Sequence, residues 1–342
     1  MKITRRQFGK LAASLPVAGV ALSHPAMLFG AENQNSMING VQIGCITSYS
    51  YRSMAQTDAM ACLGYLLTDG VSATEVEGMQ EDYAGAPKRP SFGRPTGAAA
   101  RGDGGLASAF RPGSGGGART ATPEQIAARE KYAEELTAWR LSAPMEKYTE
   151  LKDKFAAAGV SIYGFKIGLT MQMPDGVYDY AFKAAKLCGA NQLTMEMPTD
   201  PALTERVGQF ASKHKMMVGY HAHQQATPTI WDQAMSQSEY NGINLDLGHY
   251  TQGGNHDQLD FIRKNHARIT SMHLKDMTYP ENGGKNTPWG HGDTPLKAAL
   301  QLVQKEGYKF PCTIELEYAI PDDSDAVKEV AKCMQFCREA LA

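Results

Sequence analysis

The chain has 342 residues, with 34 Lys and Arg against 36 Asp and Glu and a formal net charge of -2. That balance lacks the basic footprint of a nucleic-acid binder or of a segment drawn to anionic lipid, and no stretch beyond the N-terminus is long and apolar enough to span a bilayer. The length suits one large α/β barrel or two ordinary domains, and the 6 cysteines, scattered without a Cys-x-x-Cys pair, predict buried free thiols rather than a disulfide framework or a zinc cage.

The first element is a targeting pattern. "MKITRRQFGKLAASLPVAGVALSHPA" has a basic head with Arg5 and Arg6, Phe8 two residues on, and a short run of small apolar residues. This is the layout of a twin-arginine signal over residues 1–35, with cleavage expected between Ala26 and Ser36. It predicts a protein that folds in the cytoplasm, passes the twin-arginine export machinery and works in the periplasm.

Eight β-rich runs follow: "VQIGCIT" from Val41, "VSATEVEG" from Val71, "VSIYGFKI" from Val160, "NQLTMEM" from Asn191, "KMMVGYHAH" from Lys215, "GINLDLG" from Gly242, "ITSMHLK" from Ile269 and "PCTIELEY" from Pro311. Amphipathic stretches such as "VYDYAFKAAKLCG", "PALTERVGQFASKHK" and "TPLKAALQLVQKEG" lie between them, several stopped by Gly. The last, "SDAVKEVAKCMQFCREALA", opens with Ser324 as the expected N-cap and places Cys333 and Cys337 one turn apart on a packed face. Eight strand–helix alternations predict a single (β/α)8 TIM barrel over 36–342; an open doubly wound sheet is the competitor, but no Gly-x-Gly-x-x-Gly follows the first strand. Residues 84–120 interrupt the rhythm with Gly, Pro, Arg and Ala and few large apolar groups, which predicts a mobile loop insertion at the barrel mouth, a lid there being the less favoured alternative.

In such a barrel chemistry gathers at the C-terminal strand ends. Glu196 ends the fourth run, Asp246 the sixth, His273 the seventh, and Glu315 with Glu317 the eighth. Any one of these alone reads as a salt-bridged or capping group. Together, carboxylates closed around one axis would repel, and a divalent cation removes that penalty. An oxygen-rich set with one histidine suits Mn²⁺ or Mg²⁺, with Co²⁺ or Zn²⁺ also accommodated. Glu315 and Glu317 share side-chain parity, so spacing alone leaves the choice between them open.

Taken in order, "TMEMP", "YHAH", "NLDLGH", "HLKD", "PWGHGD" and "IELEY" resemble the xylose isomerase-like TIM barrel superfamily, in its sugar phosphate isomerase/epimerase branch, over nearly all of the chain past the signal. The resemblance implies one catalytic divalent metal, Mn²⁺ favoured, on Glu196, Asp246, His273 and Glu315. It also implies substrate contact by His249, and Glu196 with Glu315 as the acid/base pair of a proton transfer through an enediolate. His221 and His223 share one side of their strand, as do His273 and Lys275. With Lys166 in "GFKIG" and Trp289 in "PWGHGD", His221, His223 and Lys275 are the expected sugar contacts; the alternatives are core histidines, a surface lysine and a packed indole. The same enolate chemistry would let a 3-keto-glycoside expel its aglycone, making the enzyme a lyase, and a non-catalytic sugar-binding barrel is the third reading. The endonuclease branch fits poorly, because Glu75, Glu77 and Lys166 stand where it uses histidine and the loop reads His291-Gly-Asp293. Barrels of this kind often form homo-oligomers.

Overall fold

The computed structural model describes residues 35–90 and 122–342. The export pattern and most of the 84–120 insertion lie outside the described residues. Eight parallel strands run in chain order: β1 (Val41–Ile46), β2 (Ala73–Glu77), β3 (Ser161–Lys166), β4 (Gln192–Glu196), β5 (Met217–His221), β6 (Asn241–Asp246), β7 (Ile269–Leu274) and β8 (Cys312–Ile314). Each pairs with its sequence neighbours and β8 also pairs with β1, so the sheet closes on itself as a (β/α)8 barrel.

Close fit inside the cylinder explains particular residues. The Tyr163 ring crosses toward β8, where its hydroxyl meets Thr313 Oγ1 at 2.6 Å, and a Cβ on Gly44 would lie 2.6 Å from that hydroxyl. Glycine on β1 therefore makes room for tyrosine on β3. Outside, amphipathic helices cover the strands. Ala59–Asp69 starts at Asp58, whose carboxylate accepts from Met60 N and Ala61 N, and ends at Gly70 with φ 72°. That positive φ costs glycine little.

Two local expectations change. The C-terminal helix Ala326–Leu341 is capped by Asp325, which accepts from Lys328 N, not by Ser324. Ser324 Oγ instead donates to Glu329 Oε1, because the backbone is one residue short of the cap there. Strand β8 is also shorter than its apolar pattern: Glu315 N still donates to Leu274 O at 3.1 Å, but Glu315 and Glu317 lie beyond the strand. All 6 cysteines are free and buried, Cys333 and Cys337 among them. Among the described residues no helix is long and apolar enough to cross a membrane.

Asp69 ends the first long helix beneath Tyr51, whose hydroxyl donates to Oδ2 at 2.7 Å, while Oδ1 has no hydrogen-bond partner. Burial pushes this carboxyl up to about 8 against the lowering effect of Tyr51. A raised acid binds its proton in the folded state and has lost it in the unfolded chain, so its contribution to stability falls as pH rises from about 4 to about 8. Asp69→Asn is therefore expected to stabilise the protein at pH 8.5, by about 1–2 kcal/mol, and to do nothing favourable at pH 4. Urea unfolding at the two pH values checks this; equal effects at both would refute it.

Candidate functional site

Strand register assembles the site. Glu196 on β4 lies opposite His221 on β5, and Asp246 on β6 opposite His273 on β7, while Glu77 on β2 lies opposite Lys166 on β3. One strand end is also a helix start. Asp246 Oδ1 accepts from His249 N at 2.8 Å and caps the short helix Leu247–Gln252, an element the apolar pattern does not announce. Gly248 in that turn is required by the neighbouring strand, since a Cβ there would sit 2.2 Å from Lys275 Cγ and 2.7 Å from Lys275 O.

Six carboxyl groups converge, from Glu75, Glu77, Glu196, Asp246, Glu315 and Glu317, around the cations of Lys166, Lys275 and His273. Lys275, only 1% exposed, has Nζ at 2.8 Å from Asp246 Oδ2, 2.9 Å from Glu315 Oε2 and 2.5 Å from Glu317 Oε2. It is thus placed among the carboxylates, deeper than a sugar contact need be. Tyr49 donates to the other oxygen of Glu317 at 2.6 Å. His273 is held between Glu75 Oε2 at 2.9 Å and Glu315 Oε2 at 2.8 Å. Burial alone would lower its pKa, but the two carboxylates outweigh burial and hold it up to about 10.

The remaining shifts follow from the same neighbours. Burial would raise Glu196, yet the Lys166 ammonium at 3.1 Å and the adjoining histidines bring it down to about 2. Burial likewise opposes, and Lys275 and His273 reverse, the shift of Glu315, which ends well below the usual carboxylate range. Glu77 goes the other way, raised by burial and by like-charged neighbours despite Lys166. His223 is pushed down to about 2 by burial and by His221.

Of the residues anticipated as metal ligands, Asp246, His273 and Glu315 come together with His221: each offers a ligand atom, all within 4.8 Å of one another and all buried. Glu196 stands beside this group, its side chain 35% exposed and held by Lys166 and by His223 Nδ1 at 3.2 Å. Lys166, His221, His223, His249 and Lys275 all meet site carboxylates. The described ring contact of Trp289 is with Phe336 of the C-terminal helix, centroids 5.6 Å apart. Glu75, Glu77 and Tyr49 were not among the anticipated functional residues. The alternation "TEVEG" at the end of β2 carries the signal for the two glutamates, by the same parity rule that paired Glu315 with Glu317.

A divalent cation fits this donor set. Glu75 Oε1, Glu77 Oε2 and His249 Nε2 are buried atoms in no hydrogen bond, while Asp246 Oδ2 and Glu196 Oε1 are met only by the ammonium groups of Lys275 and Lys166. Such atoms each cost about 1–3 kcal/mol in a folded protein unless something compensates them. Oxygen ligands with one or two imidazoles match Mn²⁺-class ions.

Comparison with known proteins agrees with the architecture. Residues 204–339 match the family described as Xylose isomerase-like TIM barrel, a span that holds Asp246, His273 and Glu315 but not Glu196. Among solved structures, a sugar phosphate isomerase/epimerase from Parabacteroides distasonis aligns with TM-score 0.54 and 14% identity over 87% of this chain and 95% of its own. An L-ribulose 3-epimerase aligns with TM-score 0.53 and 11% identity, covering 88% and 95%. The 3-keto-D-glucoside 4-epimerase of E. coli gives 0.52 and 10%, covering 87% and 99%. At these identities the likeness is one of fold. No curated protein matches the chain.

Proposed function

We propose that the protein is a divalent-metal-dependent sugar isomerase or epimerase that moves a proton next to a carbonyl, and that it works outside the cytoplasm. The observation that carries the reading is the placing of Glu196. It is an ionised carboxylate with an exposed edge, standing directly beside a buried His/Asp/Glu group of metal-ligand geometry. The matched family and the epimerases that share the fold support the substrate class.

Asp246, His273 and Glu315, with Glu196 or His221 completing the set, would hold the ion. When bound, it supplies polarisation of a carbonyl and the neighbouring hydroxyl. The rest is done by side chains. Glu196 takes the proton from the carbon beside the carbonyl, and Lys166, 3.1 Å away, keeps that carboxylate charged and ready until then. Glu315 would act as the second acid/base group, taking up a proton before the cycle and giving it to the carbon on the opposite face. His223 and His249 at the mouth, and Lys166, meet hydroxyls and orient the ring. The burial of Glu315, His273 and Lys275 keeps bulk water from the developing enediolate.

Proton NMR of the Mn²⁺-loaded protein in heavy water, offered free ketoses and 3-keto-glycosides, tests this. Deuterium beside the carbonyl together with a new sugar isomer is the expected result. Aglycone release with an unsaturated keto sugar would replace it by the lyase reading, and sugar binding without exchange by a binding barrel.

A further inference from the structure

His221, His223 and His249 form a second group in which each ring offers one nitrogen within 4.8 Å of the other two. In all three rings the Nδ1 side is tied to an oxygen that only accepts. His221 Nδ1 lies 2.7 Å from Asn244 Oδ1, and the amide nitrogen of Asn244 is turned to Ser271 Oγ at 2.7 Å. His249 Nδ1 lies 3.1 Å from Gln252 Oε1, whose amide nitrogen donates to Gly284 O at 2.8 Å. His223 Nδ1 lies 3.2 Å from Glu196 Oε2. In this arrangement Nδ1 is the donor and Nε2 the atom left to bind an ion. This is the outer support that metal-bound histidines have, an oxygen fixing the far nitrogen.

The lone pairs meet another acceptor. His221 Nε2 and His249 Nε2 approach the same oxygen, Asp246 Oδ2, at 3.6 and 3.9 Å. His249 Nε2 also lies 3.7 Å from Glu317 Oε2, and Asp246 Oδ2 is 2.8 Å from Lys275 Nζ, which an ion on this oxygen would displace. His249 Nε2, on a side chain 7% exposed, is buried and makes no hydrogen bond at all. His273 contrasts with these three, since both of its nitrogens already face carboxylates.

We propose that His221, His223 and His249, with Asp246, form a nitrogen-rich seat for a zinc-class divalent ion, distinct from the oxygen-rich set proposed above for Mn²⁺ in its ligands His223 and His249 and sharing Asp246 and His221 with it. Three imidazoles and a carboxylate suit Zn²⁺ or Co²⁺ rather than Mg²⁺ or Mn²⁺. Metal–nitrogen bonds of about 2.0–2.1 Å require the rings to close by a fraction of an ångström to roughly an ångström. His221 belongs to both groups and has one free nitrogen, so the two seats are alternatives. An ion on the nitrogen side also covers His223 and His249, which the functional reading assigns to the sugar. Zinc-class ions are therefore inhibitors on this account, though the seat itself does not depend on what the enzyme turns over.

The test uses the full chain stripped with a chelator, titrated with Co²⁺ by visible absorption, with Zn²⁺ as competitor, and separately with Mn²⁺ by electron paramagnetic resonance. His223→Gln and His249→Gln are expected to weaken Co²⁺ and Zn²⁺ about tenfold or more and to leave Mn²⁺ within about threefold, and Glu315→Gln to do the reverse. If both histidine variants keep the native cobalt spectrum and zinc affinity, or if they weaken Mn²⁺ as much as Zn²⁺, the second seat does not exist. Failure of every sugar to exchange, with the histidine result intact, would count against the isomerase reading alone.

Discussion

Replacing Lys275 by methionine should cost the metal-free protein about 3–5 kcal/mol, and much of that loss should return when Mn²⁺ is added. The ammonium is buried and sits within 2.9 Å of oxygens from Asp246, Glu315 and Glu317. Burial opposes its charge, yet those carboxylates hold its pKa well above the ordinary lysine value. Methionine keeps most of the stem that Gly248 makes room for and removes only the charge. Three acids are then left facing each other in a low dielectric, which is the costly half of breaking a buried ion pair. A divalent cation among the same oxygens restores the balance; at a hundred times its dissociation constant it contributes about 2.7 kcal/mol. Urea unfolding of native and variant protein, with chelator and with Mn²⁺, reads both effects. An equal loss in the two conditions would mean that Lys275 and the ion do not share the carboxylates, and the proposed oxygen-rich seat would have to be abandoned.

The barrel was legible because its signal is local. Alternating runs such as "KMMVGYHAH" and "GINLDLG" each carry their own strand period, and glycine stops such as Gly189 and Gly307 punctuate the helices between them. The strand-end rule then gathered Glu196, Asp246, His273 and Glu315 from four separate runs. What sequence could not supply was pairing across the barrel. Glu75 and His273 are 198 residues apart, and nothing in either segment says that they share a hydrogen bond. For the same reason Lys275 was assigned to the substrate: parity gave its side of the strand, whereas its depth among the carboxylates depends on β6 and on the chain beyond β8. His221 shows the limit most clearly, because Asn244 and Ser271, residues with no motif around them, set which of its nitrogens is free.

Glu196→Gln separates catalysis from binding and from stability. The amide matches the carboxylate in shape, and its oxygen can still accept from His223 Nδ1, now 3.2 Å from Glu196 Oε2. Lys166 retains Glu77 at 3.7 Å. Because the Glu196 side chain is 35% exposed, the change in folding stability should stay within about 1 kcal/mol. The proton acceptor is lost outright, however, and a positioned general base contributes on the order of 10²–10⁴ in rate. Deuterium incorporation beside the carbonyl should fall by that factor, with the sugar still bound and with Mn²⁺ affinity reduced only as far as Glu196 is a ligand. Measuring exchange, binding and metal affinity in one variant tells these roles apart. Exchange within about tenfold of the native rate would remove Glu196 as the base and pass that role to Glu315 or Glu317. A collapse of metal binding with the residual rate restored at high Mn²⁺ would make Glu196 a ligand whose carboxylate takes no proton, and would leave His221 as the less important member of the oxygen-rich set.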